Sequence, residues 1–216
     1  MRLLLAGLLL ITATIIPAAE PIRIACVGDS ITAGYGLDQA EYYPSVLERL
    51  LAGKAVVTNA GRSGATLLKA GDSPYWVTGE FTAATDSKPQ IVVIMLGSND
   101  AKPQNWDQHK GEYAKDLAAM VDHFAQLPTR PAVWLCLPPP VIRDNFGIRG
   151  DVLKNEIAPL VAKVAKDKDA RVIDVFTALV GHPEFFPDGV HPNAEGAALL
   201  AATVHAALTA PKQKQR

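Results

Sequence analysis

Ile22-Arg23-Ile24-Ala25-Cys26-Val27, followed at once by Gly28-Asp29-Ser30, is the stretch on which the fold turns. The run reads as a β-strand buried on both faces that stops abruptly at a turn. Four more strands follow at Ala55-Val56-Val57-Thr58, Ile91-Val92-Val93-Ile94-Met95-Leu96, Ala132-Val133-Trp134-Leu135-Cys136-Leu137 and Arg171-Val172-Ile173-Asp174-Val175. Helical spacing lies between them. Val46, Leu47, Leu50 and Leu51 align over residues 42–51, and a short helix is predicted near 65–70. Tyr113, Leu117, Val121 and Phe124 share one face over 107–124, and Leu153, Ile157, Leu160 and Val164 do so over 151–166. Pro159 inside the last of these should kink it. Asn193 is placed to cap a final helix through Ala197, Leu200, Val204 and Leu208. Alternating strands and helices predict an α/β fold, a parallel sheet covered on both sides.

A serine at the carboxyl end of a first strand lies where open α/β sheets keep their sites. Its hydroxyl is a weak nucleophile until a positioned base takes the proton. His191 is the candidate base for Ser30, and Asp188, three residues earlier, is placed to hold the imidazole in one tautomer. His109, His123 and His205 fall within predicted helices, and His182 has no carboxylate at the same spacing before it. Ser63 and Ser98 also follow glycines, yet neither makes a Gly-x-Ser-x-Gly elbow. Each residue alone has a plainer reading: Gly-Asp-Ser as a turn, Asp188 as the turn residue of Pro187-Asp188-Gly189, Gly61 as a helix entry and Asn99 as a turn residue.

Taken together, Gly28-Asp29-Ser30, Gly61 in Asn59-Ala60-Gly61, Gly97-Ser98-Asn99-Asp100 and Asp188…His191 resemble the four blocks of the SGNH (GDSL) hydrolases, in that family's order. The resemblance implies a flavodoxin-like three-layer α/β/α sandwich whose five-stranded parallel sheet has the order 2-1-3-4-5, and it implies ester hydrolysis. It gives Ser30 the role of nucleophile, His191 that of base and Asp188 that of triad acid. The Ser30 and Gly61 N–H groups and the Asn99 amide become the oxyanion hole. Asp29 and Asp100 are read as structural partners of their turns. That strand order separates Cys26 from Cys136 by one strand, too far for a disulfide.

Size and charge bound the remaining possibilities. A chain of 216 residues with a formal net charge of −1 fits one domain with a substantial core and does not suggest a nucleic-acid partner. Met1-Arg2, an apolar run to Ile16 and Pro17-Ala18-Ala19 read as a signal peptide over residues 1–19, with residues 20–216 as one hydrolase domain. Export to the periplasm or the exterior follows, with no stable membrane span after processing. Lys212-Gln213-Lys214-Gln215-Arg216 reads as a frayed basic end. No metal or cofactor is expected, since zinc-ligand spacings and a glycine-rich phosphate loop are both missing from the sequence.

Trp76 and Trp106, in loops rich in amides, are candidates for a platform under a sugar ring. Gly-Ser-Asn-Asp followed by Lys102-Pro103-Gln104-Asn105-Trp106 looks most like sialate or other carbohydrate O-acetylesterases of the family. The predicted activity is therefore hydrolysis of small acyl esters, acetyl first, on a small-molecule or carbohydrate substrate, with no protein partner implied. Two alternatives stand beside it: a lysophospholipase or thioesterase acting on longer chains, and a silent carbohydrate-binding module that kept the fold.

Overall fold

The computed structural model describes residues 20–211, so the leader and the basic end lie outside the described residues. In chain order the elements are β1 (Ile22–Gly28), α1 (Ser30–Ala33), α2 (Tyr43–Leu50), β2 (Ala55–Gly61), α3 (Gly79–Asp86), β3 (Ile91–Met95), α4 (Pro103–His109) and α5 (Tyr113–Ala125). β4 (Ala132–Cys136), α6 (Gly150–Val152), α7 (Ala158–Asp167), β5 (Arg171–Ile173), α8 (Val175–Leu179) and α9 (Ala194–Thr209) complete them. The strands form one parallel sheet in the order β2-β1-β3-β4-β5, as expected.

Alternation along β1 divides the core in two. Ala25 and Val27 join one apolar cluster with Leu117, Met120 and Phe124 of α5 and Val161 and Val164 of α7. Ile24 and Cys26 join the other with Leu47 of α2, Leu179 of α8 and Leu200 and Val204 of α9. Each Val, Leu, Ile, Met or Phe side chain among these, fully buried, contributes roughly 1.5–3 kcal/mol against exposure, and both faces of the sheet are covered by helices for that reason. Cys26 and Cys136 are free and buried in the second cluster, and burial pushes the Cys26 thiol up to about 12.

Several expected elements differ. No helix forms at 65–70, because the N–H groups of Leu67 and Leu68 donate to the Asp100 carboxylate at 2.9 and 2.7 Å instead of to a helical turn. Helix α3 forms between β2 and β3, where only the short helix near 65–70 is predicted; Thr78 caps it by accepting from Phe81 N–H at 3.2 Å. The helix expected over 107–124 is two helices, α4 and α5, joined by a 3₁₀ turn at Lys110–Glu112, which contains Gly111. Before Pro159 the chain widens into a π-turn at Leu153–Ile157. A proline lacks an N–H and its ring crowds the carbonyl four residues back, so a wider turn accommodates it inside a continuing helix. The fifth strand stops two residues early: Asp174 caps α8, its carboxylate accepting from Thr177 N–H at 2.8 Å and the Thr177 hydroxyl at 2.7 Å.

Between β1 and β3 the strand order reverses direction, which opens a crevice at the carboxyl ends. Gly28 is in register with Gly61 on one side and Met95 on the other. Ser30, Gly61 and Asn99, at or just past the ends of β1, β2 and β3, therefore lie along the same edge of the sheet.

Candidate active site

Ser30 opens α1 directly after β1. Asp29 caps that helix, its Oδ1 accepting from Ile31 N–H at 3.0 Å, and burial pushes the Asp29 carboxyl upward. The Ser30 hydroxyl stands 2.8 Å from Nε2 of His191. His191 is only 7% exposed, and its Nδ1 lies 2.7 Å from Oδ2 of Asp188. Oδ1 of Asp188 accepts from the N–H groups of Val190 and His191 at 2.8 and 2.7 Å. Partial burial works to raise the Asp188 pKa, but these two N–H groups and the imidazole outweigh it and hold the carboxyl below its usual range. An ionised Asp188 fixes the proton of His191 on Nδ1, which turns the Nε2 lone pair toward Ser30.

Gly61 packs straight onto α1: a Cβ there would stand 2.1 Å from Ala33 N, so no other residue fits. Its N–H donates to Asn59 Oδ1 at 3.0 Å. An oxyanion would have to share or displace that bond. The buried Asn99 amide donates one hydrogen to Ala65 O at 3.1 Å, and its second has no partner among the described residues. Asn105 Nδ2 donates to the Asn99 carbonyl at 2.8 Å and steadies that loop. Beneath it, burial raises Asp100 to about 7 against the opposing pull of the Leu68 and Leu67 N–H groups.

The two tryptophans expected to border the substrate differ in exposure: Trp106 is enclosed, whereas Trp76 is partly buried. Trp106 is 2% exposed, donates its indole N–H to Glu156 at 2.9 Å and packs edge-on to Tyr113. An enclosed ring has no face for a sugar. Trp76 donates to Leu67 O at 2.7 Å, with Lys69 over its ring at 4.2 Å and Phe81 packed beside it. Trp106 lies within α4, not in the loop expected there, and fixes that helix to the body; Trp76 fixes its own turn. The aromatic rings that border His191 are Tyr35, at 4.3 Å between centroids, and Phe146, at 5.2 Å. Neither was singled out in the sequence, although each is a large aromatic beside glycine in a loop, where no core awaits it. His182 is on the surface, bonded to Glu184 at 3.0 Å.

Among the described residues, no group of three or more His, Cys, Asp or Glu side chains could hold a metal ion. No helix among them is long and apolar enough to cross a membrane.

A flavodoxin-like sheet with a hydroxyl–imidazole–carboxylate chain at its carboxyl edge is the architecture of the SGNH hydrolases. Residues 26–199 match the GDSL-like Lipase/Acylhydrolase family, and the chain belongs to it. It is similar to an acetylxylan esterase of Xylanibacter ruminicola, 35% identical over 212 residues, covering 89% of this chain and 44% of that protein. The chain thus spans less than half the length of that relative. The thioesterase 1/protease 1/lysophospholipase L1 of Escherichia coli K12 is 26% identical, with 85% of this chain and 82% of that protein covered. In fold, the chain resembles the acetylxylan esterase Axe2 of Geobacillus stearothermophilus, with a TM-score of 0.67 at 19% identity, covering 90% of this chain and 97% of the other.

Proposed function

We propose that the protein is an exported serine esterase that removes small acyl groups, acetyl first, from carbohydrate esters. The observation that carries the reading is the unbroken chain Ser30 Oγ–His191 Nε2 at 2.8 Å and His191 Nδ1–Asp188 Oδ2 at 2.7 Å. In this reading His191 Nε2 takes the hydroxyl proton as Oγ attacks the ester carbonyl. The oxyanion that develops is met by the Ser30 N–H, the free hydrogen of the Asn99 amide and the Gly61 N–H turned from Asn59. His191 then gives its proton to the leaving alkoxide, and water repeats the sequence to release the acid. Asp188 keeps the imidazole oriented and offsets its charge.

The acetyl preference and the carbohydrate substrate rest on the likeness to the acetylxylan esterase of Xylanibacter ruminicola. The lower likeness to the Escherichia coli thioesterase supports the longer-chain alternative less strongly. Export rests on the apolar leader at residues 1–19. The test is product release from two natural polymers or lipids side by side. Acetate released from acetylated xylan, without fatty acid from lysophosphatidylcholine, is the expected result. The reverse pattern transfers the assignment to a lysophospholipase.

A further inference from the structure

Two half-exposed aromatic rings stand against the imidazole, and nothing in the proposed chemistry uses them. Tyr35 is 50% exposed and Phe146 is 47% exposed. Their centroids are 6.1 Å apart in an edge-to-face arrangement, each also packed on His191. Both are tied to the backbone of the residues proposed for catalysis. Tyr35 N–H donates to the carbonyl of Ser30 at 2.9 Å. The preceding Gly34 has φ +83, and a Cβ there would fall within the ring of Tyr42. Asn145 Nδ2 donates to the carbonyl of Asp188 at 2.9 Å, and its Oδ1 accepts from Phe146 N–H at 2.9 Å.

Phe146 also sits at φ +54, a left-handed conformation that is unfavourable for a residue other than glycine. A strained backbone that holds an apolar ring half in water is unfavourable twice over for the free protein. Such a combination is found where a ligand uses the ring.

Geometry decides which half of the ester that ligand is. A proton leaves Nε2 of His191 for the alcohol oxygen as the ester bond breaks, so that oxygen must lie within hydrogen-bond reach of the imidazole. Rings packed on the imidazole thus border the leaving alcohol, whereas the acyl carbonyl oxygen turns to the donors at Gly61 and Asn99. The aromatic faces carry negative quadrupole charge, and the axial C–H groups of a pyranose are its apolar, weakly positive face. We infer that Tyr35 and Phe146 form the leaving-group subsite and that it takes a pyranose ring packed against this half-exposed aromatic pair. The inference rests on the esterase reading above and names the residues that recognise its alcohol half.

The test pairs two acetyl esters that differ only in the alcohol, ethyl acetate and a monoacetylated methyl β-xylopyranoside, across wild type, Phe146→Ala, Tyr35→Leu and Phe146→Tyr. For Phe146→Ala and Tyr35→Leu, kcat/KM on the sugar ester is expected to fall about tenfold or more beyond any fall on ethyl acetate, chiefly through KM. Phe146→Tyr, which keeps the ring, should restore the wild-type ratio. Equal losses on both esters would mean that the rings only position His191, and would overturn the subsite while leaving the esterase intact. Activity absent from wild type on both esters, or undiminished in Ser30→Ala, would overturn the esterase reading and the subsite with it. Matching thermal unfolding curves for the variants separate either result from loss of fold.

Discussion

His191 Nε2 stands 2.8 Å from the Ser30 hydroxyl, although 161 positions separate the two residues. Ser30 is fixed by the end of β1 and the first turn of α1, while His191 arrives on the loop before α9. That loop is locked by its own carboxylate: Asp188 accepts from two backbone N–H groups with one oxygen and from the imidazole with the other. The same residue thus shapes the loop and orients the ring.

This double duty separates two substitutions. Asp188→Asn keeps an acceptor for the loop N–H groups but can present an amide to Nδ1 and favour the wrong tautomer. It should lower kcat by on the order of 10²–10⁴ with little change in melting temperature. Asp188→Ala should lose both rate and thermal stability. Steady-state kinetics with calorimetry on the two variants checks this, and a fully active Asp188→Asn would remove the carboxylate from the mechanism.

The Asn99 amide is the side-chain donor of the proposed oxyanion hole. Asn99→Ala is expected to cost on the order of 10²–10³ in kcat while KM changes little. Unchanged turnover would place the oxyanion elsewhere.

Gly61 has no room for a methyl group against Ala33. Gly61→Ala must push α1 and Ser30 away from β2, at a stability cost of roughly 1–3 kcal/mol. Denaturant unfolding and esterase rate should therefore fall together. A stable, fully active variant would show that α1 yields without consequence.

Asp100 gives the fold a pH dependence of defined sign. Its carboxyl, near ~4 in an unfolded chain, is raised to about 7 when folded. Between those values the folded state holds a proton that the unfolded state has released. Its contribution to stability consequently falls as pH climbs through that window and levels off above it. The melting temperature of wild type relative to Asp100→Asn should thus be highest near pH ~4 and fall steadily toward pH 8. A difference that stays constant with pH would show that Asp100 does not titrate there.

The sheet was legible because strands buried on both faces must be continuous apolar runs, and the Ser30, Gly61 and Asn99 blocks sit where three of those runs end, while His191 lies on the loop before α9. What escaped the sequence depended on partners far along the chain. The segment 65–70 has helical composition, yet Asp100, more than 30 residues away, takes its N–H groups. Helix α3 buries only Ala84 fully, so its apolar pattern is faint. Tyr35 and Phe146 meet at His191 through the loop that Asn145 ties to Asp188, a contact without local signature. Trp106 escaped for a related reason: beside amides it reads as a loop residue, and only the packing places it inside α4 with its indole N–H on Glu156. In contrast, Asp174 with Thr177 three residues on carries a local helix-start signal, which the reading of Asp174-Val175 as strand passed over.

The central claim is that Ser30 is the nucleophile of a small-acyl esterase. The most direct test is release of p-nitrophenol from acetate, butyrate and octanoate esters by wild type and Ser30→Ala. The account predicts a preference for acetate that disappears entirely in Ser30→Ala. Preference for octanoate, or hydrolysis that survives the loss of the Ser30 hydroxyl, would contradict it.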